Sequence, residues 1–90
     1  MRSITAPPGT QALQRAMGLL KQFSSEHPHQ TLNELGSALG LTKTTTHRLL
    51  AALESQGLIK RTDTDNTYHL GASLIALGSQ ALLTSDVRAA

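Results

Sequence analysis

The 90-residue chain has no cysteine and no tryptophan, and its only aromatic side chains are Phe23 and Tyr68. Without cysteine there are neither disulfides nor thiolate metal sites, which fits a reducing cytoplasm. Two lone rings cannot build the stacking platforms on which single-strand and RNA binders lay successive bases. No apolar run approaches the roughly 20 residues needed to span a bilayer, and the opening MRSITAPPGT lacks the apolar stretch of a secretion signal, so no membrane partner is expected and the chain reads as soluble and cytoplasmic. A glycine-framed serine, a phosphate-cradling glycine loop and paired carboxylates are missing too, so neither an enzyme nor a cofactor is expected. His27 and His29 flank Pro28, but with Glu26 as the only neighbouring acid they form an incomplete ligand set, and no metal is expected.

The formal charge of +2 is small, and its distribution says more than its size. From Lys43 to Arg61 the chain carries Lys43, Arg48, Lys60 and Arg61 against one acid, Glu54. This stretch opens with residues 42–57, TKTTTHRLLAALESQG, around which the rest is organised. Thr42 offers a hydroxyl as N-cap, Gly57 can turn left-handed after the last turn, and nothing between them breaks a helix. At 100° per residue Thr46, Leu49, Leu50 and Leu53 share one side, while Thr44, Arg48, Ala51 and Ser55 face the other. Near the N-terminus the free side is small, hydroxylated and basic: Lys43, Thr44, Thr45, His47 and Arg48. Such side chains can approach a groove floor and hydrogen-bond base edges or phosphates, so this helix reads as a DNA-recognition helix. Amphipathicity alone would equally describe an ordinary surface helix; the elements on either side decide.

Residues 1–9, with Pro7, Pro8 and Gly9, read as a flexible lead-in in which Arg2 alone is too little for a basic minor-groove arm. From Thr10 a helix is expected, ending near Ser24, with Leu13, Ala16, Met17, Leu20 and Phe23 at helical spacing and Met17 and Phe23 in the core. Pro28 separates it from a second helix starting at Leu32, where Thr31 and Glu34 have the spacing of a capping box. Leu35, Ala38 and Leu39 mark that helix's buried side, and Gly36 permits close approach of a neighbour. Gly40-Leu41-Thr42 is then a three-residue turn into the recognition helix, which makes a helix-turn-helix. After Gly57, residues 58–62 and 67–70 read as strands around the turn cluster Asp63-Thr64-Asp65-Asn66. Alternation puts Tyr68 and Leu70 inward and Thr67 and His69 outward, and the hairpin is expected to pack on the helices as a wing carrying Lys60 and Arg61. Gly71 ends it. Ala72 begins a helix with more leucine than so small a domain needs, which points to a partner surface or to a linker toward something absent.

With these elements placed, the chain resembles the N-terminal domain of the isocitrate lyase regulator (IclR) family of bacterial transcription factors. Thr46-His47-Arg48-Leu49-Leu50, Glu54-Ser55-Gln56-Gly57-Leu58-Ile59 and Tyr68-His69-Leu70-Gly71 leading into Leu77-Gly78 carry the likeness, which extends from Ala12 to Gly78. It implies a mainly α fold with a small β-hairpin: a winged helix-turn-helix over residues 10–71, then a linker helix over 72–90. It also implies sequence-specific binding of double-stranded operator DNA as a homodimer, weak in a fragment of this length, with a small-molecule effector acting only through a C-terminal domain absent from this chain. The ending at 85–90 resembles the start of that domain. Thr46 departs from the family's usual aliphatic residue and needs a backbone acceptor for its hydroxyl. A winged-helix module that binds a protein instead of DNA is the competing function, and affinity that falls steeply with salt distinguishes the two.

Overall fold

A computed structural model describes residues 9–84. Except for Gly9, the expected lead-in lies outside them, as does the ending at 85–90. The order is α1 (Gln11–Leu20), α2 (Leu32–Leu39), α3 (Lys43–Ser55), β1 (Ile59–Thr62), β2 (Thr67–Leu70) and α4 (Ala72–Thr84). The two strands pair antiparallel with Ile59 opposite Leu70 and Thr62 opposite Thr67. This is a winged helix-turn-helix followed by a linker helix.

Caps set the helix boundaries. Thr31 Oγ1 accepts from the Glu34 N–H at 3.1 Å while Glu34 Oε1 accepts from the Thr31 N–H at 2.8 Å, a complete capping box. Gly40 ends α2 at φ 67°, letting the Leu41 N–H reach back to the Gly36 carbonyl at 2.9 Å. Thr42 then caps α3 by accepting from the Thr45 N–H at 3.2 Å. At the far end Gly57, at φ 75°, closes the same kind of motif: its N–H meets the Glu54 carbonyl and that of Leu58 meets the Leu53 carbonyl.

Leu19, Phe23, Leu35, Leu50, Leu53, Ile59 and Tyr68 form the core, drawing on α1, α2, α3 and both strands. On α3 the buried residues are Thr46, Leu50 and Leu53, the side the helical spacing predicts. The Thr46 hydroxyl, fully buried, donates to the Thr42 carbonyl at 2.7 Å, so the departure from an aliphatic residue leaves no unsatisfied polar group. Gly36 explains itself here. A methyl carbon added to it would lie 2.7 Å from Thr46 Oγ1, so its absence lets the two helices of the motif cross at this point.

Four expectations need correction. The first helix ends at Leu20, not near Ser24; looser turns through Gln22 and Phe23 then swing the Phe23 ring into the core. Met17 is 41% exposed and Leu13 62%, whereas Leu19 is fully buried. The apolar residues of α1 spread over nearly half its circumference at 100° per residue, and the neighbouring helices cover only the Leu19 side. Ala38 is exposed, because α2 buries Leu35 and Gly36 instead. Leu70, expected inward, is 43% exposed: it borders two open hollows, while Ile59 opposite it fills the core.

Gln30 supplies a short third rung of the sheet. Its backbone exchanges hydrogen bonds with Tyr68 at 3.0 and 2.8 Å, and its buried side-chain amide donates to the Gln22 and His27 carbonyls. The loop between α1 and α2 is thereby tied to the wing.

Candidate nucleic-acid interface

The capped N-terminus of α3 presents the hydroxyl and basic residues together. Lys43, Thr44, His47 and Arg48 are exposed and Thr45 is half-buried. Thr44 and Arg48, one turn apart, look away from the buried side formed by Thr46, Leu50 and Leu53. Lys43 and His47, also one turn apart, border the wing. Lys43 lines a hollow of about 400 Å³ with Thr31, Asn33, Asp65 and Asn66. His47 lines a narrower cleft of about 150 Å³ with Leu32, Arg61, Asn66 and Tyr68.

The hairpin separates its two cations. Arg61 pairs with Tyr68 and shares that residue's face of the ribbon, turned toward α3, so the structure brings Arg61 and His47 to one cleft. Lys60 pairs with His69 on the opposite face and borders a hollow with Glu54, Gly57 and the start of α4. Of the seven residues singled out in the sequence, six therefore gather around the N-terminal half of α3, and Lys60 stands apart.

Two wing residues were given no role beyond the turn. Asn66, the one non-glycine residue at positive φ among the described residues (58°), accepts from Arg61 Nε at 3.0 Å. Asp65 accepts from the Thr67 hydroxyl at 2.8 Å, and that bond is the main reason its carboxyl sits below the ordinary carboxylate value. The turn cluster in the sequence signals the bend but not these partners.

The pattern of the IclR helix-turn-helix domain matches residues 12–63, which take in all of α1 but Gln11, both helices of the motif and β1. The chain belongs to the IclR family. It carries that family's helix-turn-helix domain, and its similarity to transcriptional regulators extends well past the matched core. The glycerol operon regulatory protein of Streptomyces coelicolor is 34% identical over 79 residues, covering 88% of this chain and 31% of that protein. The transcriptional repressor IclR of Escherichia coli is 30% identical over 79 residues, covering 88% and 29%. The crystal structure of an IclR transcriptional regulator from Alicyclobacillus acidocaldarius superposes with a TM-score of 0.80 at 30% identity, covering 91% of this chain and 32% of that one. The chain thus spans about a third of the length of these IclR relatives. No helix among the described residues is long and apolar enough to cross a membrane.

α4 continues this IclR-type domain as an arm. It is fastened at its base, where the Gly71 N–H bonds the Leu58 carbonyl at 2.8 Å and Ser73 Oγ donates to the Gln56 carbonyl at 3.1 Å. A side chain on Gly71 would collide with the Gly57 carbonyl, so the two glycines allow the linker helix to start against the end of the recognition helix. Beyond its base none of its residues is buried, and Ile75, Leu77, Leu82 and Leu83 are 60–78% exposed.

Proposed function

We propose that this chain binds double-stranded operator DNA in a sequence-specific manner, as the DNA-binding part of a bacterial, cytoplasmic IclR-type regulator. The observation that carries this reading is the exposed strip Lys43, Thr44, His47 and Arg48 on a helix whose other side is locked into the core, with Arg61 facing it across the wing cleft. Thr44 and Arg48 are the base readers: a guanidinium can fork onto guanine O6 and N7, and a threonine can meet a base edge through its hydroxyl or a thymine through its methyl. Lys43, Thr45 and His47 flank them on phosphates or adjacent edges. Arg61 and Lys60 contact backbone and set affinity more than specificity, with Arg61 the nearer to the groove-facing strip.

One recognition helix covers too few base pairs to specify an operator, so the domain pairs across a two-fold axis. The exposed leucines of α4, together with Leu13 and Met17 on α1, supply the apolar surface for this; Leu19 is fully buried and takes no part. Control by a small-molecule effector resides in a further domain, a reading that the greater length of the relatives supports. Selection from a randomised duplex library against the purified chain tests the assignment. Recovery of a two-fold symmetric site, bound with strong salt dependence, is the expected result; enrichment of no sequence would refute specific binding.

A further inference from the structure

The wing tip surrounds Arg61 with carboxylates in sequence, Asp63 and Asp65, either of which could cancel its charge. In the fold neither pairs with it: the Asp65 carboxylate accepts instead from the Thr67 hydroxyl at 2.8 Å, and among the described residues the side chain of Arg61 has one hydrogen-bond partner, the neutral amide oxygen of Asn66, 3.0 Å from Nε. That bond depends on the backbone. Asn66 sits at φ 58°, a left-handed conformation which asparagine tolerates better than most residues, and it closes the turn so that Oδ1 faces back onto β1. Glycine would accept the same conformation but offers no acceptor. Both side chains line the cleft shared with His47.

We infer that Asn66 is a positioning residue that holds the Arg61 guanidinium toward the recognition helix while leaving its charge uncompensated. Only Nε is engaged, so the four N–H groups on the two terminal nitrogens remain to fork onto a phosphate. Holding a side chain this long before binding removes much of the rotamer entropy it would otherwise lose on DNA. A carboxylate in the same place would hold the chain equally well but would neutralise the contact. The inference rests on the proposed role of Arg61 at the DNA backbone and adds the residue that prepares it.

A double-mutant cycle with Asn66→Gly and Arg61→Ala tests it, because glycine keeps the left-handed turn and removes only the acceptor. Affinity for a short mixed-sequence DNA duplex is measured across a salt series, at a temperature where circular dichroism shows all four proteins folded. Arg61→Ala is expected to lower affinity and to reduce the salt slope by about 1. Asn66→Gly is expected to weaken binding about threefold to tenfold with Arg61 present, and to change nothing in the Arg61→Ala background. Equal losses in both backgrounds would mean that Asn66 touches DNA itself and would overturn the inference. If Arg61→Ala weakens binding while Asn66→Gly does not, Arg61 needs no positioning and the inference fails alone. If Arg61→Ala has no effect, the backbone role of Arg61 fails and the inference with it.

Discussion

Replacing Gly36 by alanine tests the contact that sets the helix-turn-helix, and two opposing effects decide its sign. Helix propensity favours the change by about 1 kcal/mol, since Gly36 lies within α2. Packing opposes it. The new methyl would lie 2.7 Å from Thr46 Oγ1 and 3.4 Å from the Leu41 carbonyl oxygen. The threonine cannot swing away, because its side chain is fully buried and its hydroxyl is bonded to the Thr42 carbonyl at 2.7 Å. Forcing a methylene-sized group into such a site costs about 2–3 kcal/mol, so Gly36→Ala should destabilise the domain by about 1–2 kcal/mol net. At about 4–8 °C per kcal/mol for a domain of this size, thermal denaturation followed by circular dichroism resolves that loss. Thr46→Ala removes the obstructing oxygen, so in its background Gly36→Ala should become neutral or stabilising, with a favourable coupling of about 2 kcal/mol. A rise in Tm for Gly36→Ala alone, or an equal loss in both backgrounds, would show that Gly36 and Thr46 do not set the crossing.

Arg48→Ala should cost about 1–3 kcal/mol on the selected duplex and relax preference at one base pair; a loss shared equally by all sequences would remove Arg48 from the base readers. Gly71→Ala should cost about 3 kcal/mol by urea denaturation, because its methyl meets the Gly57 carbonyl, a backbone atom that cannot give way; wild-type stability would mean α4 is not anchored there. The chain should show a weak, concentration-dependent monomer–dimer equilibrium that a two-fold symmetric duplex drives toward pairing, since an interface below about 1,200 Å² holds only weakly. In sedimentation equilibrium, one-to-one binding on that duplex at saturating protein would place dimerisation outside this domain. Asp65, held below its ordinary value mainly by the Thr67 hydroxyl, should lend the wing stability that is present above the ordinary carboxylate range and lost as pH falls through the depressed value. Thr67→Val should raise the Asp65 titration midpoint read by NMR, and an unchanged midpoint would discard that cause.

Elements whose boundaries depend on a few neighbouring residues were legible in the sequence. The Thr31–Glu34 capping box, the Thr42 cap and the left-handed glycines 40 and 57 are satisfied within one turn of chain, so spacing alone announces them. The buried side of α3 was equally legible, because its leucines fall on a single narrow stripe and admit one orientation. α1 offered no such choice: its apolar arc is broad, and only the positions of α2 and α3 decided that Leu19 is buried while Leu13 and Met17 remain exposed. The strands were placed by alternation, but not the consequence that Arg61 faces the recognition helix while Lys60 points away, which needs the hairpin's register and its packing against the core. Gln30 and Asn66 were beyond local rules altogether. One bonds a strand 38 residues away and the other serves an arginine across the turn, and contacts of that kind exist only once the chain has folded back on itself.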